Sequence, residues 1–131
     1  MIVSILKLSF RQFAFFTVPF FTLVPSRIPR EFMATTKASP TTIPLSWKPI
    51  KNSFYIHGIL LGYKIQFELT HIAGVPLNQP VNKTQRIIGP DTLTYVLRDL
   101  EIYATYRVKI WAFTRIGDGP SSENIAGNEI I

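Results

Sequence analysis

Residues 95–108 read YVLRDLEIYATYRV, and this stretch decides the fold of the chain. Apolar and polar residues alternate on both sides of a short break at Arg98 and Asp99, which predicts two β-strands joined at a corner. Leu100 and Tyr106 stand six residues apart across that corner. In β-sandwiches a tyrosine so placed buries its ring and returns its hydroxyl to the corner backbone. We therefore expect Leu100 and Tyr106 to belong to the core of an all-β protein.

The same alternation continues upstream, where two more strands place aromatic residues on one face. Residues Thr42–Lys48 alternate so that Trp47 points inward, although Pro44 removes one backbone donor from that strand. Residues Ile59–Glu68 place Tyr63 on one face with other apolar residues, and charged or amide side chains on the other. This is the pattern of a sheet that is wet on one side. We expect both aromatic residues to join the core.

Shorter stretches and turn residues account for the rest of the sequence. We expect a first strand at Arg30–Lys37, a long connection at His71–Val81 and a weak strand at Thr84–Ile88. A long strand is expected at Tyr103–Phe113, and a closing edge strand at Ser122–Ile130. No segment shows a sustained apolar period of 3.6 residues. The sequence therefore predicts an all-β, seven-stranded antiparallel sandwich.

The composition limits the chemistry that is available to the chain. Its 131 residues suffice for one domain, and the absence of cysteine excludes disulfides, zinc–thiolate sites and a thiol nucleophile. The net charge is +6, of which residues 1–37 contribute +4, while nine basic and seven acidic residues are scattered over the remainder. A nucleic-acid-binding domain would concentrate its bases on one element and interleave aromatic residues, so no nucleic-acid partner is expected.

The first 24 residues differ in composition from everything that follows. Six of the ten phenylalanines lie between Phe10 and Phe21, and residues 12–26 carry no charge. Lys7 and Arg11 flank the start of a short apolar stretch, a layout similar to a secretory signal and too short to span a bilayer, which takes about 20 residues. Pro19 interrupts the stretch, and three origins stay open: a secretory signal, an uncleaved anchor, or translated pyrimidine-rich non-coding sequence. We expect residues 1–24 to lie outside the fold.

Residue types that carry catalysis or metal binding do not occur in suitable arrangements. His57 and His71 lie in predicted loops without a partner at metal-ligand spacing, and we expect both to be solvated. Gly117 and Gly119 precede a strand, whereas a phosphate-binding loop precedes a helix. The carboxylates are spread over turns and wet faces. We therefore predict no catalytic residue, no metal, no cofactor and no small-molecule substrate, and hence no enzymatic activity.

Several of these stretches together resemble one known family. The opening VPSRIPREFMA, the LSWKP around Trp47, the GILLGYKIQF around Tyr63, the corner stretch and AFTRIGDGPSS follow the order of a fibronectin type III domain. The resemblance covers residues 25–122, which leaves residues 1–24 as a hydrophobic leader and residues 123–131 as a strand end or linker. Where the family's corner often has proline and then threonine, this chain has isoleucine and alanine.

The resemblance implies a non-catalytic module of a cell-surface or extracellular matrix protein, of the adhesion or receptor type. Such a module binds proteins or serves as a spacer, and it occurs with neighbouring fibronectin type III domains in a longer chain of which this sequence is a fragment. An extracellular location and protein partners of unknown identity follow from the same resemblance. Two alternatives stay open: a domain of an intracellular scaffold or muscle-type array, and an accessory domain of a receptor phosphatase or kinase.

Candidate partner-binding residues lie on the predicted wet face. Alternation sends Trp111 outward, to the face that carries Arg107 and that neighbours Lys64 on the preceding long strand. The indole ring either stacks on the side-chain stem of Lys64 or Arg107, or it anchors a partner, because aromatic residues and arginine are enriched at binding hot spots. We expect these three residues to form part of an interaction surface.

The loop after the long strand contains two further candidates, Arg115 and Asp118. The best-known member of the family presents an Arg-Gly-Asp signal for integrins at this position, but here two residues separate the arginine from the aspartate. The resemblance therefore does not imply integrin binding. We expect Gly117 and Gly119 to adopt turn conformations with positive φ, with Asp118 capping the turn.

Residues Asn82-Lys83-Thr84 form a glycosylation sequon on a predicted connection. The sequon has a meaning only if the chain enters the secretory pathway, because the glycan is added there. We expect Asn82 to be glycosylated in that case.

Overall fold

The computed structural model describes residues 24–35 and 39–127. The strands are β1 (Arg30–Ala34), β2 (Ile43–Lys48), β3 (Leu60–Ile72), β4 (Val75–Ile88), β5 (Thr94–Leu97), β6 (Ala104–Thr114) and β7 (Ile125–Gly127). A 3₁₀ turn, Ser53–Ile56, lies between β2 and β3. Apart from Val24, the leader predicted for residues 1–24 lies outside the described residues. Within the described part, no helix has the length and hydrophobicity needed to cross a membrane.

The strands form two antiparallel sheets that pack face to face. One sheet has the order β1-β2-β5 and the other the order β4-β3-β6-β7. All of their pairings are antiparallel. The predicted all-β sandwich is therefore confirmed.

The core lies between the two sheets and is built from the inward residues of each. Trp47 of β2 meets Tyr63 of β3 edge-on, with ring centroids 5.4 Å apart, and Phe32 of β1 approaches the same indole at 6.4 Å. Burial of such rings dominates the energetics of a sandwich core. The buried apolar residues of the two sheets and their corner include Ile43, Leu45, Trp47, Tyr63, Ile65, Leu97, Leu100, Tyr106, Val108, Ile110 and Ala112.

Pro44 lies in the middle strand of the three-stranded sheet, opposite Val96 of β5. Its carbonyl accepts a hydrogen bond of 2.9 Å from the Thr35 N–H. Because a strand residue directs its N and its C=O to the same side, the missing donor of Pro44 also faces Thr35. Since β1 ends at Ala34, the lost bond falls just beyond the β1–β2 ladder, which explains why proline is tolerated here.

The corner between β5 and β6 connects the two sheets, and hydrogen bonds fix its position. The Leu100 N–H donates to the Thr41 carbonyl at 2.9 Å, which ties the corner to the start of β2. The Tyr106 hydroxyl accepts a hydrogen bond of 2.9 Å from the Glu101 N–H. This is the geometry expected of a tyrosine corner. Burial raises the pKa of the Tyr106 hydroxyl, so the group stays protonated at neutral pH.

The long connection expected at His71–Val81 was wrong, because the chain forms a hairpin there. Strand β3 continues to Ile72, and β4 starts at Val75 after a two-residue turn. The turn residues Ala73 and Gly74 both have positive φ, 51° and 77°, as a type I′ turn requires. Strand β4 therefore includes the predicted weak strand, the sequon and most of the predicted connection.

Two prolines in β4 suggested a loop in the sequence, and the structure shows why a strand accepts them. The Gly89 N–H, just beyond β4, donates to the Leu61 carbonyl and therefore points toward β3. Because backbone groups alternate in direction along a strand, the other odd-numbered residues in this part of β4 also direct their N–H and C=O groups toward β3, and the even-numbered residues direct theirs away. Pro80 therefore faces the open side of the sheet edge. Pro76 pairs with His71, next to the closing pair of the turn, and also faces away from β3. Neither proline removes a ladder bond, as is usual on edge strands.

The positive φ expected at Gly117 and Gly119 was also wrong. The described glycines with positive φ are Gly58, Gly74 and Gly89. Gly119 is needed for another reason, since a Cβ atom there would lie 2.8 Å from the Pro25 carbonyl oxygen. The absence of a side chain thus lets the entering chain pack against the loop after β6.

Replacing Trp47 by alanine should destabilise the fold severely. We expect Trp47→Ala to lower the free energy of unfolding by about 3 to 5 kcal/mol, because it removes a nearly fully buried indole from between the sheets. The free energy of unfolding of a typical domain is about 5 to 15 kcal/mol, so this loss could unfold the protein. Trp47→Phe is the matched control, because it keeps an aromatic ring at the contact with Tyr63. If urea denaturation shows that Trp47→Phe is less stable than Trp47→Ala, the proposed role of the indole ring is contradicted.

Removing the Tyr106 hydroxyl should produce a smaller loss with the fold retained. We expect Tyr106→Phe to lower the free energy of unfolding by about 0.5 to 1.5 kcal/mol, since only the bond to the Glu101 N–H is lost. Tyr103→Phe is the control at the same corner, because that side chain is half exposed. The two denaturation midpoints are compared with that of the parent chain. Equal shifts in both variants would refute the role of this hydrogen bond.

Candidate interaction surface

The outer face of the four-stranded sheet brings together most of the predicted partner-binding residues. Across β3 and β6, Lys64 pairs with Trp111, and Glu68 pairs with Arg107. On the other side of β3, Lys64 pairs with Arg86 of β4. These pairs lie on one face because directly opposed residues of neighbouring strands point the same way. We call this surface, centred on Trp111, the outer face.

Phe113 is an aromatic residue of the outer face that sequence reasoning missed. Its ring is only 2% exposed, although by alternation it points away from the core. Two cations cover it: the Lys64 Nζ lies 5.2 Å and the Arg86 Cζ 4.7 Å from the ring centroid. Such contacts are cation–π interactions. The cluster could have been predicted from the sequence, because Trp111 and Phe113 are two residues apart on one strand. Alternation places both on the face that carries the basic residues.

Asp118 joins the same cluster from the loop after β6. Its Oδ1 lies 2.8 Å from the Lys64 Nζ, with both side chains partly exposed. The residue also forms an isolated β-bridge with Phe113, so backbone and side chain together hold the loop over the outer face. Asp118 therefore orients Lys64 over the aromatic ring.

Trp111 lies on the outer face as alternation predicted, half buried and directly opposite Lys64. The ring over which Lys64 is placed is that of Phe113, and Arg107 forms an ion pair with Glu68. The Trp111 indole Nε1 is buried and has no hydrogen-bond partner in the described residues. The Trp47 Nε1 in the core is buried without a partner among the described residues in the same way, so this feature alone does not mark Trp111 as a binding residue.

Arg107 and Glu68 form an ion pair at the far end of the outer face. The Arg107 Nε donates to the Glu68 Oε1 at 3.1 Å, and its Nη2 donates to the same oxygen. The arginine side chain is half exposed, so this pair contributes little to stability. Its effect is to neutralise the charge of Arg107 on this surface.

Arg115 lies apart from the other four candidates. It is exposed in the loop after β6 and lines a separate cavity of about 400 Å³ with His57, Ile59 and Thr114. The structure therefore groups Trp111, Lys64, Arg107 and Asp118 and leaves Arg115 at the end of the sandwich.

Asn82 is exposed on strand β4, whereas the sequence suggested a connection. It pairs with Glu68, which places its side chain on the outer face. Thr84, the third residue of the sequon, is also exposed and points the same way. The complete sequon is thus accessible on an edge strand.

The two histidines are partly buried and hydrogen-bonded to hydroxyl groups. The His57 Nε2 lies 3.1 Å from the Ser26 Oγ, and the His71 Nδ1 lies 2.9 Å from the Thr70 Oγ1. His71 belongs to β3, so its expected position in a loop was wrong. In the described ranges no three His, Asp or Glu side chains come together as a metal-binding group.

Tyr63 is the second tyrosine whose acidity is altered by the core. Burial raises the pKa of its hydroxyl, and the nearby Asp91 carboxylate raises it further. The hydroxyl donates to the Pro90 carbonyl at 3.4 Å, beside the turn that leads to β5. The tyrosine therefore stays protonated at neutral pH and acts as a structural donor, not as a base.

Comparison with known proteins identifies relatives of this domain. The chain is 37% identical over 100 residues to protein sidekick-1 of Gallus gallus, covering 76% of this chain and 4% of that protein. It is 34% identical over 109 residues to the cell adhesion molecule DSCAM of Gallus gallus, covering 78% of this chain and 5% of that protein. The chain therefore spans only a small part of the relatives it matches.

Solved structures show the same fold. The third fibronectin III domain of human KIAA0343 protein superposes with a TM-score of 0.71 at 21% identity, covering 82% of this chain and 85% of that one. The FN5 domain of Drosophila Lar superposes with a TM-score of 0.54 at 29% identity, covering 79% of this chain and 95% of that one. The family model described as fibronectin type III domain matches residues 27–128. The chain belongs to the fibronectin type III family.

Proposed function

We propose that this domain is a non-catalytic interaction module of a cell-surface or extracellular protein, and that its outer face binds a protein partner. The observation that carries the proposal is Trp111, an aromatic side chain that stays partly exposed at the centre of the outer face, directly opposite Lys64. Tryptophan is enriched at the centre of binding hot spots.

The charges around Trp111 indicate the kind of partner. Lys64 and Arg107 are already paired with carboxylates of this chain. Lys109 and Arg86 lie on the same face and form no ion pair within the described residues. The outer face thus combines an aromatic centre with unneutralised positive charge, which suits a partner with a carboxylate-bearing surface.

Two further observations support this assignment. One relative bears the name cell adhesion molecule, and the chain corresponds to a few per cent of its length, which fits a module among other domains. The groups whose pKa is raised by burial are core tyrosines engaged with backbone groups, which favours a structural over a catalytic use. Neighbouring fibronectin type III domains in the longer protein are part of the proposal.

Binding through the outer face is tested with purified domain against a second copy of itself and a panel of adhesion-protein ectodomains. For a partner found in this way, we expect Trp111→Ala and Lys109→Glu to lower the affinity by about tenfold or more. Lys83→Glu is the matched control, because Lys83 is exposed on the opposite face of the same sheet. Affinities that change equally in the Lys109 and Lys83 variants would reject this surface. Binding by no ectodomain would favour a spacer role.

The extracellular location is tested by expressing the full chain in secretory cells. We expect secreted protein that lacks the leader and carries a glycan at Asn82, since the exposed sequon is accessible on β4. The mass should fall on treatment with an N-glycosidase, and Asn82→Gln should abolish that shift. A product that begins at Met1, stays in the cytosol and is unmodified at Asn82 would contradict an extracellular location.

A further inference from the structure

The edge of the four-stranded sheet is a second surface at which another chain can bind. Strand β4 is the last strand on that side, and among the described residues it pairs with β3 alone. In residues 82–88 the even-numbered positions direct their N–H and C=O groups away from β3. This segment contains no proline, so its outward row of donors and acceptors is complete. We call residues 82–88 the open edge.

One hydrogen bond shows that the backbone of the open edge can accept a further donor. The Gln85 Nε2 donates to the Arg86 carbonyl at 3.1 Å, and the contact is exposed. Because this carbonyl points away from β3, the side-chain amide takes the place of the N–H that a neighbouring strand would supply. An exposed bond of this kind is exchanged for a backbone bond at little net cost.

The cations of the open edge do not block the approach of another strand. Charged side chains commonly protect edge strands, but the Arg86 Cζ lies 4.7 Å from the centroid of the Phe113 ring. Phe113 belongs to β6, on the far side of β3, so the guanidinium extends over the sheet and away from its edge. Lys83 points to the opposite face. Ile88, at the end of the open edge, is 68% exposed and adds apolar surface.

The open edge is complementary to a second copy of itself in one antiparallel register. When two copies pair about a two-fold axis at Gln85, every outward N–H and C=O of residues 82–88 meets a counterpart. Thr84 then lies opposite Arg86 of the other copy, and Asn82 lies opposite Ile88. The two Gln85 side chains face each other, and no like charges are directly opposed.

The neighbouring registers are less favourable. Pairing centred on Arg86 would place two arginines directly opposite each other, and such pairs are destabilising. Pairing centred on Thr84 would bring in Pro80, which has no N–H to donate. The sequence of the open edge therefore selects the register centred on Gln85.

From this geometry we infer that the open edge pairs with the open edge of a second copy of this chain, so that the two four-stranded sheets become one continuous sheet. Backbone hydrogen bonds supply the contact, as in other cases of strand addition. The inference applies to the chain without a glycan at Asn82, because Asn82 is one of the pairing residues. It makes no use of Trp111, so its failure leaves protein binding through the outer face untouched.

The test introduces one cysteine into the full chain, which has none of its own, expressed without glycosylation. In the Gln85→Cys variant the two cysteines form a directly opposed, non-hydrogen-bonded pair with Cα atoms about 4.5 Å apart, within disulfide reach. Lys83→Cys is the matched control, because its two copies would stand about 13 Å apart. Lys83 is also the more exposed residue, so random collisions favour the control.

We expect oxidised glutathione to convert Gln85→Cys to a disulfide-linked dimer at least about tenfold faster than Lys83→Cys, because only the first pair lies within bonding distance. Non-reducing electrophoresis follows the reaction. Equal rates, or a faster reaction of Lys83→Cys, would overturn the inference. Sedimentation of the parent chain should show a reversible dimer whose share grows with concentration. A chain that stays monomeric up to about 1 mM would overturn it as well.

Two further substitutions in the Gln85→Cys chain identify the surface that pairs. Thr84→Pro removes an outward N–H that takes no part in the ladder to β3, and it should slow cross-linking by about tenfold or more. Trp111→Ala should leave the rate unchanged. Thermal unfolding confirms that each variant is folded. Slowing by Trp111→Ala with no effect of Thr84→Pro would assign the dimer to the outer face and overturn pairing through the open edge.

Discussion

The edge-on contact between Trp47 and Tyr63 joins the two sheets, and the remaining structure is arranged around it. The two rings belong to different sheets and are almost fully buried, with their centroids 5.4 Å apart. Because side chains alternate across a strand, an inward Tyr63 requires an outward Lys64, and the register then makes Trp111 outward as well. The residues of the outer face are thus positioned by the core, although none of them belongs to it.

Much of the fold could be predicted from the sequence because the core strands alternate with a period of two. Trp47, Tyr63 and Tyr106 are inward for that reason, and the corner hydrogen bond of Tyr106 follows from local spacing. The hairpin between β3 and β4 could not be predicted in the same way. Whether Pro76 and Pro80 break a ladder depends on which side their missing N–H groups face, and that side is set by pairing with a distant strand.

The sites were less predictable than the fold, because each is assembled from residues far apart in the chain. Alternation placed Trp111 outward, but only the register shows that Lys64 and Arg86 converge on Phe113 from two other strands. Arg27 and Lys51 line one cleft although they belong to different segments, and Arg27 counted toward the positive charge of the N-terminal part. A count along the sequence cannot show that cations from both segments lie around one cleft.

The edge formed by β4 places a further constraint on how the outer face is used. An edge strand of 14 residues, unpaired on one side within the described part, invites pairing with other chains. Pro76 and Pro80 remove outward donors from its first half, whereas residues 82–88 keep theirs. That second half begins at Asn82, so a glycan attached there would cover the part of the edge that the prolines leave open. Its bulk would stand at the Glu68 end of the outer face, four residues along β4 from Arg86, which lies in line with Lys64 and Trp111.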